Sequence, residues 1–252
     1  MRDVGDILHP ACPTISRLKE IGPVKVWSLL VTVFGDLASA HDGHLSGAQL
    51  TRLFEAMGIR GEALRVALHR LRKEGWIISE RRGRTSDYSM SAKGLWETAA
   101  ARARVYRGPD EGPCRWHLLL TRGAVPEGAI RLRNGAALRP AGSPPACPDA
   151  WVIPMSVGEV PEWVAEDILP RGLTDVATDL VAVLQSRDDP PSQVGGPYQR
   201  MAERILILHQ WRRLALREGT WLMMSLQPEG VVAQCCTAVQ RALADMPVAA
   251  LP

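Results

Sequence analysis

The chain has little of what marks secreted or membrane-spanning proteins. Its five cysteines are odd in number and include no Cys-x-x-Cys pair, so neither a disulfide framework nor a common zinc motif is indicated. No apolar run approaches the roughly 20 residues that a membrane span needs, and the first residues lack the charged-then-apolar layout of a signal peptide. We therefore expect a cytoplasmic protein with reduced thiols and no membrane partner.

The sequence also lacks the short motifs that identify common enzymes. It has no Gly-rich phosphate loop, no Gly-x-Ser-x-Gly elbow and no His-Glu-x-x-His helix. Asp and Glu are plentiful, but no spacing pairs two of them for acid–base work. His41, Asp42 and His44 lie close together, an arrangement that is more often a solvated loop than a zinc site. We expect no enzyme, no metal and no cofactor.

The composition is otherwise that of an ordinary globular protein with an uneven set of aromatic residues. Hydrophobic residues make up 46% and charged residues 23% of the 252 positions, which favours packed cores over disorder. A chain of this length can hold two or three small cores. Eight tryptophans stand against two phenylalanines and three tyrosines, which makes the tryptophans candidates for a ligand pocket.

Positive charge is concentrated in one short window, between Arg60 and Arg84. This window holds eight Lys and Arg residues against three Glu, whereas the whole chain has a net charge of only +3. The remainder of the chain is therefore slightly acidic. A local excess of positive charge is what a surface facing nucleic-acid phosphates requires, so the window is a candidate DNA-binding surface.

The residues before and inside this window predict two helices joined by a tight turn. Ser46-Gly47-Ala48-Gln49 has the form of a capping box, in which the Ser and Gln side chains each bond a backbone amide at the helix start. Gly58 can end that helix, because glycine tolerates the left-handed backbone of a tight turn. The second helix is predicted from about residue 61 to 74, and its apolar side is formed by Leu64, Ala67, Leu68 and Leu71.

The opposite side of the second helix is polar, as in a recognition helix that lies in a DNA major groove. Arg60 occupies its cap position, where Ser, Thr, Asn or Asp is usual. The polar side carries Glu62, Arg65, Val66, His69 and Lys73, with Arg70 and Arg72 on its flanks.

A two-stranded hairpin is predicted after this helix. Trp76-Ile77-Ile78 begins one strand, Gly83 lies in the turn, and residues 86–90 alternate along the returning strand. Ser91 is then the expected N-cap of a further helix that runs to about Tyr106. A basic hairpin beside a recognition helix suits contact with the DNA backbone or minor groove, so the stretch predicts a winged helix-turn-helix.

Several segments of the chain are also similar to those of one known family. They are SLLVTVFGD at 28–36, RVALHRL at 65–71 leading into Gly75-Trp76, GRTSDY at 83–88, Gly94, and HQWRRLALR at 209–217. On these residues the chain resembles the PaaX-type repressors of aromatic-acid catabolism genes in bacteria.

The resemblance implies an α+β, multidomain, dimeric repressor. Such a protein has an N-terminal winged helix-turn-helix, a small central ferredoxin-like (Cas2-like) α/β domain and a C-terminal helical domain. The best-known members release DNA on binding an aryl-coenzyme A thioester. A Cas2-like nuclease needs a carboxylate at the end of its first strand to hold a divalent metal, and residues 116–121 contain none, so we expect a regulator and not a nuclease.

Composition places the boundaries of these parts. Residues 1–23 form a leader segment, 24–107 the winged helix-turn-helix domain, 114–187 the central ferredoxin-like domain and 197–252 the C-terminal helical domain. A core helix is expected through Val26 and Leu37. Further predicted elements are strands at 116–120, 151–155 and 173–176, and helices at about 127–138, 161–166, 198–217 and 231–244.

The basic helix and hairpin supply the predicted DNA contacts. Arg65, His69 and Arg70 are expected nearest the bases, because they project from the outward side of the recognition helix. Lys73 and the hairpin arginines are expected on phosphates or in the minor groove. The full set is Arg60, Arg65, Val66, His69, Arg70, Lys73, Arg81, Arg82 and Arg84.

Tryptophan and arginine in the later part of the chain are candidates for an effector pocket. Trp faces with nearby Arg side chains can hold an aromatic acyl group and its phosphates, although a single Trp more often belongs to a core or a dimer interface. The candidates are Trp116, Arg131, Arg133, Trp151, Trp211, Arg212 and Arg213.

Together these patterns predict a homodimeric, ligand-responsive repressor. It would bind an inverted-repeat operator in double-stranded DNA and be released by a small effector, an acyl-coenzyme A or aromatic compound. Two alternatives stay open: a winged-helix module that binds another protein through its basic face, and a regulator of another winged-helix family such as the GntR type.

Overall fold

The computed structural model describes residues 12–37, 43–83, 85–108, 115–126, 128–133, 135–142, 149–155, 160–187, 196–249 and 251–252. The fold is α+β, as expected. The described residues form two compact units. The first unit takes its residues from Met1–Leu95, Arg187–Leu206 and Met246–Pro252, and the second from Trp96–Ser186 and Ile207–Asp245. The predicted boundaries at 24–107, 114–187 and 197–252 stay predictions.

The first unit combines helices with a small antiparallel sheet. Its strands lie in the order β1-β3-β2, with Leu45 opposite Tyr88 and Arg82 opposite Thr85. The elements are α1 (Pro13–Glu20), α2 (Val26–Leu37), β1 (His44–Ser46), α3 (Gly47–Ala56), α4 (Gly61–Lys73), β2 (Ile77–Arg82) and β3 (Thr85–Met90).

Local sequence determines where these helices begin and end. The Ser46 side chain accepts from the Gln49 amide at 3.1 Å and the Gln49 side chain accepts from the Ser46 amide at 2.9 Å, so the predicted capping box is confirmed. Gly58 has a φ of 69°, the left-handed conformation expected at the end of α3. The Ser91 hydroxyl accepts from the Gly94 amide and caps α5 (Ala92–Val105) as predicted.

A buried ion pair joins the N-terminal and C-terminal parts of the first unit. Arg204, near the start of α8 (Pro197–Ala215), donates to both carboxylate oxygens of Asp36 at 2.7 and 2.8 Å and to the carbonyl of Met246 at 2.7 Å. Gln49 also donates to the carbonyl of Leu251. The leader contributes as well, because α1 buries Ile15 and Leu18.

The second unit contains a four-stranded sheet and several helices. The strands lie in the order β5-β6-β4-β7, and each neighbouring pair is antiparallel. Besides parts of α5 and α8, its elements are β4 (Trp116–Leu120), β5 (Ile130–Arg131), β6 (Ala136–Pro140), β7 (Trp151–Pro154), α6 (Glu162–Ile168), α7 (Arg171–Gln185), α9 (Glu218–Leu226) and α10 (Val231–Asp245).

The helix predicted at about 127–138 is wrong. This stretch forms the hairpin of β5 and β6, in which Ile130 lies opposite Leu138. Gly135 has a φ of 76° and packs so closely on the carbonyl of Thr121 that a Cβ would not fit. A helix cannot continue through that turn, and Ile130 and Leu138 instead lie in neighbouring strands of the sheet.

The strand predicted at 173–176 is also wrong, because Arg171–Gln185 is the helix α7. Val176, Leu180 and Val183 follow helical spacing and are buried, and this longer pattern outweighs the short apolar run. The sequence interpretation missed α9 altogether. The helix predicted at 161–166 is confirmed as α6, and those at 198–217 and 231–244 are confirmed as α8 and α10.

The helical part of the second unit is densely buried. Trp211 and Trp221 are both buried and lie edge to face, with ring centroids 6.4 Å apart. Cys235 and Cys236 are buried free thiols, and burial raises the pKa of the Cys235 thiol. None of the helices among the described residues is both long and apolar enough to span a membrane.

Candidate nucleic-acid interface

Helix α4 presents an apolar side to the first unit and a polar side to solvent. Leu64, Ala67, Leu68 and Leu71 are buried as predicted, and α4 packs on α2 and α3. The Arg60 side chain makes no cap hydrogen bond. The stabilisation of this helix therefore comes from the packing of its apolar side and not from a side-chain cap.

The outward side of α4 is a row of exposed residues, termed the α4 face: Arg65, Val66, His69 and Lys73. All four are exposed, and Val66 is 70% exposed. Arg65, His69 and Lys73 make no ion pair or side-chain hydrogen bond within the described part of the chain. They lie four residues apart, so their Cα atoms span about 12 Å along the helix axis. Their polar groups are therefore available to an external partner.

Arg70, which the sequence places with the base-contacting residues, is engaged by the protein itself. Its Nε donates to Glu74 at 2.7 Å, and its guanidinium lies 5.1 Å from the centre of the Trp27 ring. The ion pair is exposed, so it restrains Arg70 only weakly. The contact with Trp27 could not be predicted from the residues around α4, because Trp27 lies far away in the sequence.

The β2–β3 hairpin lies beside α4 in the first unit, since α4 contacts β2. Arg81 is exposed, and its Nε donates to the carbonyl of Gly83 at 3.3 Å. Arg82 ends β2, while its side chain and the whole of Arg84 lie outside the described residues. The hairpin thus places Arg81, one of the predicted DNA contacts, next to a helix that has exposed basic residues of its own.

The predicted effector tryptophans have different environments. Trp116 is buried in β4, whereas Trp151 in β7 is 69% exposed and lies opposite Leu120, at the other end of β4. Trp211 is buried, and its indole donates to the carbonyl of Val105 at 2.9 Å. An indole that is packed and hydrogen-bonded in this way is part of the core.

The predicted effector arginines differ in their surroundings, and two of them bond other side chains of the protein. Arg131 is exposed, Arg133 bonds Asp167 at 2.7 Å, and Arg213 donates to the side chain of Gln210 at 2.9 Å. Burial lowers the pKa of Arg212. None of the seven predicted effector residues lines the apolar cavity that the structure describes in the second unit.

The segment 209–217, one of those that carried the family resemblance, is structural in its contacts. His209 is buried, and burial together with the charges of Arg212 and Arg213 lowers its pKa to about 4. Gln210 is fully buried. The aromatic–cation contact near this segment is made instead by Arg107, which lies 5.0 Å from the centre of the Trp221 ring. The pair of Arg107 and Trp221 could not be predicted from the sequence because the two residues are far apart in the chain.

The described residues offer no group of three His, Cys, Asp or Glu side chains that could hold a metal ion. His41 and Asp42 of the His41/Asp42/His44 cluster lie outside the described residues.

The segment of this chain that is similar to known proteins lies in the first unit. Residues 25–94 match the family model described as PaaX-like protein. The transcriptional repressor PaaX of Escherichia coli (strain K12) is 40% identical over 104 residues, which cover 40% of this chain and 32% of that repressor. The match thus spans about a third of the length of that relative.

A solved structure of an uncharacterized protein from Mycobacterium tuberculosis is also similar, with a TM-score of 0.46 and 16% sequence identity, over 88% of this chain and 97% of that one.

The matched segment contains α4 and the β2–β3 hairpin, the elements that carry the exposed basic residues. The chain therefore has a PaaX-like region, and the family resemblance inferred from its sequence is confirmed.

Proposed function

We propose that this protein is a DNA-binding transcriptional repressor that reads DNA with the α4 face. The observation that carries the proposal is the row of exposed side chains on α4 that have no partner in the described protein. Three of the four can donate hydrogen bonds, and Val66 can contact a thymine methyl group. The same helix lies inside the segment that matches PaaX-like proteins.

In this proposal α3 and α4 form the helix-turn-helix and the β2–β3 hairpin forms the wing. A major groove about 12 Å wide admits one helix, so α4 enters it while the hairpin follows the adjacent backbone or minor groove. Arg65 and His69 contact bases, and Arg70 joins them once it leaves Glu74. Arg60, Lys73, Arg81, Arg82 and Arg84 hold phosphates.

The remaining features of the proposal rest on the family resemblance. The repressor acts in the cytoplasm as a homodimer on an inverted repeat, so that two α4 helices enter successive major grooves. A small effector, an acyl-coenzyme A or aromatic compound, releases it from DNA. The second unit supplies the ferredoxin-like part: its antiparallel strand order supports that assignment, whereas the described stretch between β4 and β5 contains no crossover helix.

The proposal is tested by capture of genomic DNA. Purified protein is mixed with fragmented DNA of its host, and the retained fragments are sequenced. We expect enrichment of an inverted repeat upstream of a small set of genes. Retention without sequence preference that disappears at moderate salt would contradict a repressor, because it reports only generic phosphate attraction. In that case the exposed Val66 would favour a protein partner for the α4 face.

A further inference from the structure

The second unit contains an apolar cavity of about 390 Å³. One wall is the sheet and the other is α6. Because side chains alternate along a strand, Leu118 and Leu120 of β4 and Leu138 of β6 point to the same face of the sheet. That face, and not the one carrying His117 and Leu119, lines the cavity.

The facing wall and rim are equally apolar. Trp163 and Val164 of α6 line the cavity, and Leu226 of α9 and Met155, which follows β7, complete it. Trp163 is 50% exposed, so its indole lies partly against the cavity and partly in solvent.

The chemistry of the lining determines what can bind. The described side chains that line the cavity are all apolar, so none of them carries a charge that could hold a carboxylate, a phosphate or an ammonium. Moving such a charge into an apolar site without a partner is strongly unfavourable. Arg133, which follows the lining residue Leu132, already bonds Asp167 of α6 at 2.7 Å.

We infer that this cavity binds an uncharged, apolar small molecule of about one to three rings. Its volume lies toward the small end of the range of roughly 300–1,000 Å³ typical of ligand pockets. Trp163 forms the outer edge of the site, and the small side chain of Ala136 in β6 leaves space that the ligand fills. None of the charged or aromatic residues predicted as effector contacts takes part.

The inference is tested by binding without DNA. The uncharged fluorescent probe N-phenyl-1-naphthylamine is titrated into the full-length protein, then displaced with toluene or, in parallel, with benzoate, which has a similar size and a negative charge. We expect saturable binding of one probe, displacement by toluene, and little displacement by benzoate. Equal displacement by both compounds, or none by toluene, would overturn the inference.

Two variants locate the probe. Ala136→Leu fills the cavity from the sheet side and Trp163→Ala removes its outer wall, and each should weaken probe binding by about tenfold, a change equal to about 1.4 kcal/mol. Trp96→Ala is the matched control, because Trp96 is 77% exposed and does not line the cavity. Circular dichroism verifies that each variant is folded. Unchanged binding in both cavity variants would place the probe elsewhere.

The role of the cavity as an effector site rests on the proposed function. Its ability to bind a small molecule does not. The probe assay contains no DNA, so its failure leaves the repressor proposal intact. Conversely, if the protein binds the probe but no DNA, the cavity is supported as a binding site and the proposed repressor function is contradicted.

Discussion

Helices α4 and α8 both carry several basic residues, and they use them in opposite ways. On α4, Arg65 and Lys73 are exposed and have no partner within the described part of the chain. On α8, Arg204 is buried and bonds both carboxylate oxygens of Asp36, and Arg213 bonds Gln210. The buried charge of Arg204 therefore joins two distant parts of the first unit, whereas the charges of Arg65 and Lys73 are available to another molecule.

The histidines of the two helices show the same contrast. His69 lies exposed on the α4 face, while His209 of α8 is buried beside Arg212 and Arg213. Residue type alone does not distinguish a binding side chain from a structural one. Burial and the presence of an internal partner do, and both depend on the tertiary fold.

The largest expected effect comes from breaking the Asp36–Arg204 pair. Asp36→Ala leaves a buried guanidinium without its main partner, so we expect the free energy of unfolding of the first unit to fall by about 3–5 kcal/mol. Urea denaturation followed by circular dichroism measures this. The control is Arg171→Ala, which removes exposed ion pairs with Glu162 and Glu166 and should change stability little. Equal losses in both variants would mean that burial does not set the role of these arginines.

The next effect is a pH dependence of stability that originates at His209. Its pKa is about 4 in the folded protein and about 6.5 in an unfolded chain, so the unfolded state binds the proton first as the pH falls. Stability is therefore full above pH 6.5 and falls by about 3 kcal/mol between there and pH 4.

The matched comparison for this prediction is His209→Gln against His69→Gln, measured by urea denaturation at pH 7 and pH 4.5. The His209 variant should lose stability less steeply than the parent as the pH falls. The His69 variant should follow the parent. If all three proteins lose stability in parallel, His209 does not carry the effect.

On α4, we expect His69→Ala to change which DNA sequence is preferred without changing stability. A side chain that reads a base contributes about 1–3 kcal/mol of discrimination at that position. Selection from a randomised DNA library, done with the parent and the variant, measures the preference at each position. An identical preference would move base reading to Arg65 or Arg70.

The smallest effect is expected for Lys73→Ala, which removes one phosphate contact. Binding to all sequences should weaken to the same degree, and the slope of log affinity against log salt should become shallower by about 1. Arg241→Ala, at an exposed position of α10, removes the same charge and should leave the slope as it is. An equal change in both variants would show that only the net charge matters.

Much of the first unit could be predicted from the sequence because its signals are local. The Ser46–Gln49 capping box, Gly58 and the apolar spacing of α4 each act within a few residues, and all were confirmed. The exposure of Arg65 and Lys73 follows from the same periodicity. The contact of Arg70 with Trp27 could not be predicted, since it joins two helices.

The second unit was harder to predict because its structure depends on distant residues. The stretch 127–138 has apolar residues at spacings that suit a helix, yet its pairing with β4 and the turn at Gly135 make it a hairpin. The apolar cavity is lined by residues from Leu118 to Leu226, a set that no local pattern groups together. The tryptophan and arginine residues predicted as effector contacts lie outside this lining, and their role stays a prediction.

The central claim, that the α4 face reads DNA, is tested most directly by one titration. An enriched genomic fragment and an unenriched fragment of equal length are titrated with the parent and with the triple variant Arg65→Ala/His69→Ala/Lys73→Ala at fixed salt. We expect the parent to prefer the enriched fragment and the triple variant, while still folded, to bind both fragments equally and weakly. A triple variant that keeps the preference of the parent would contradict it.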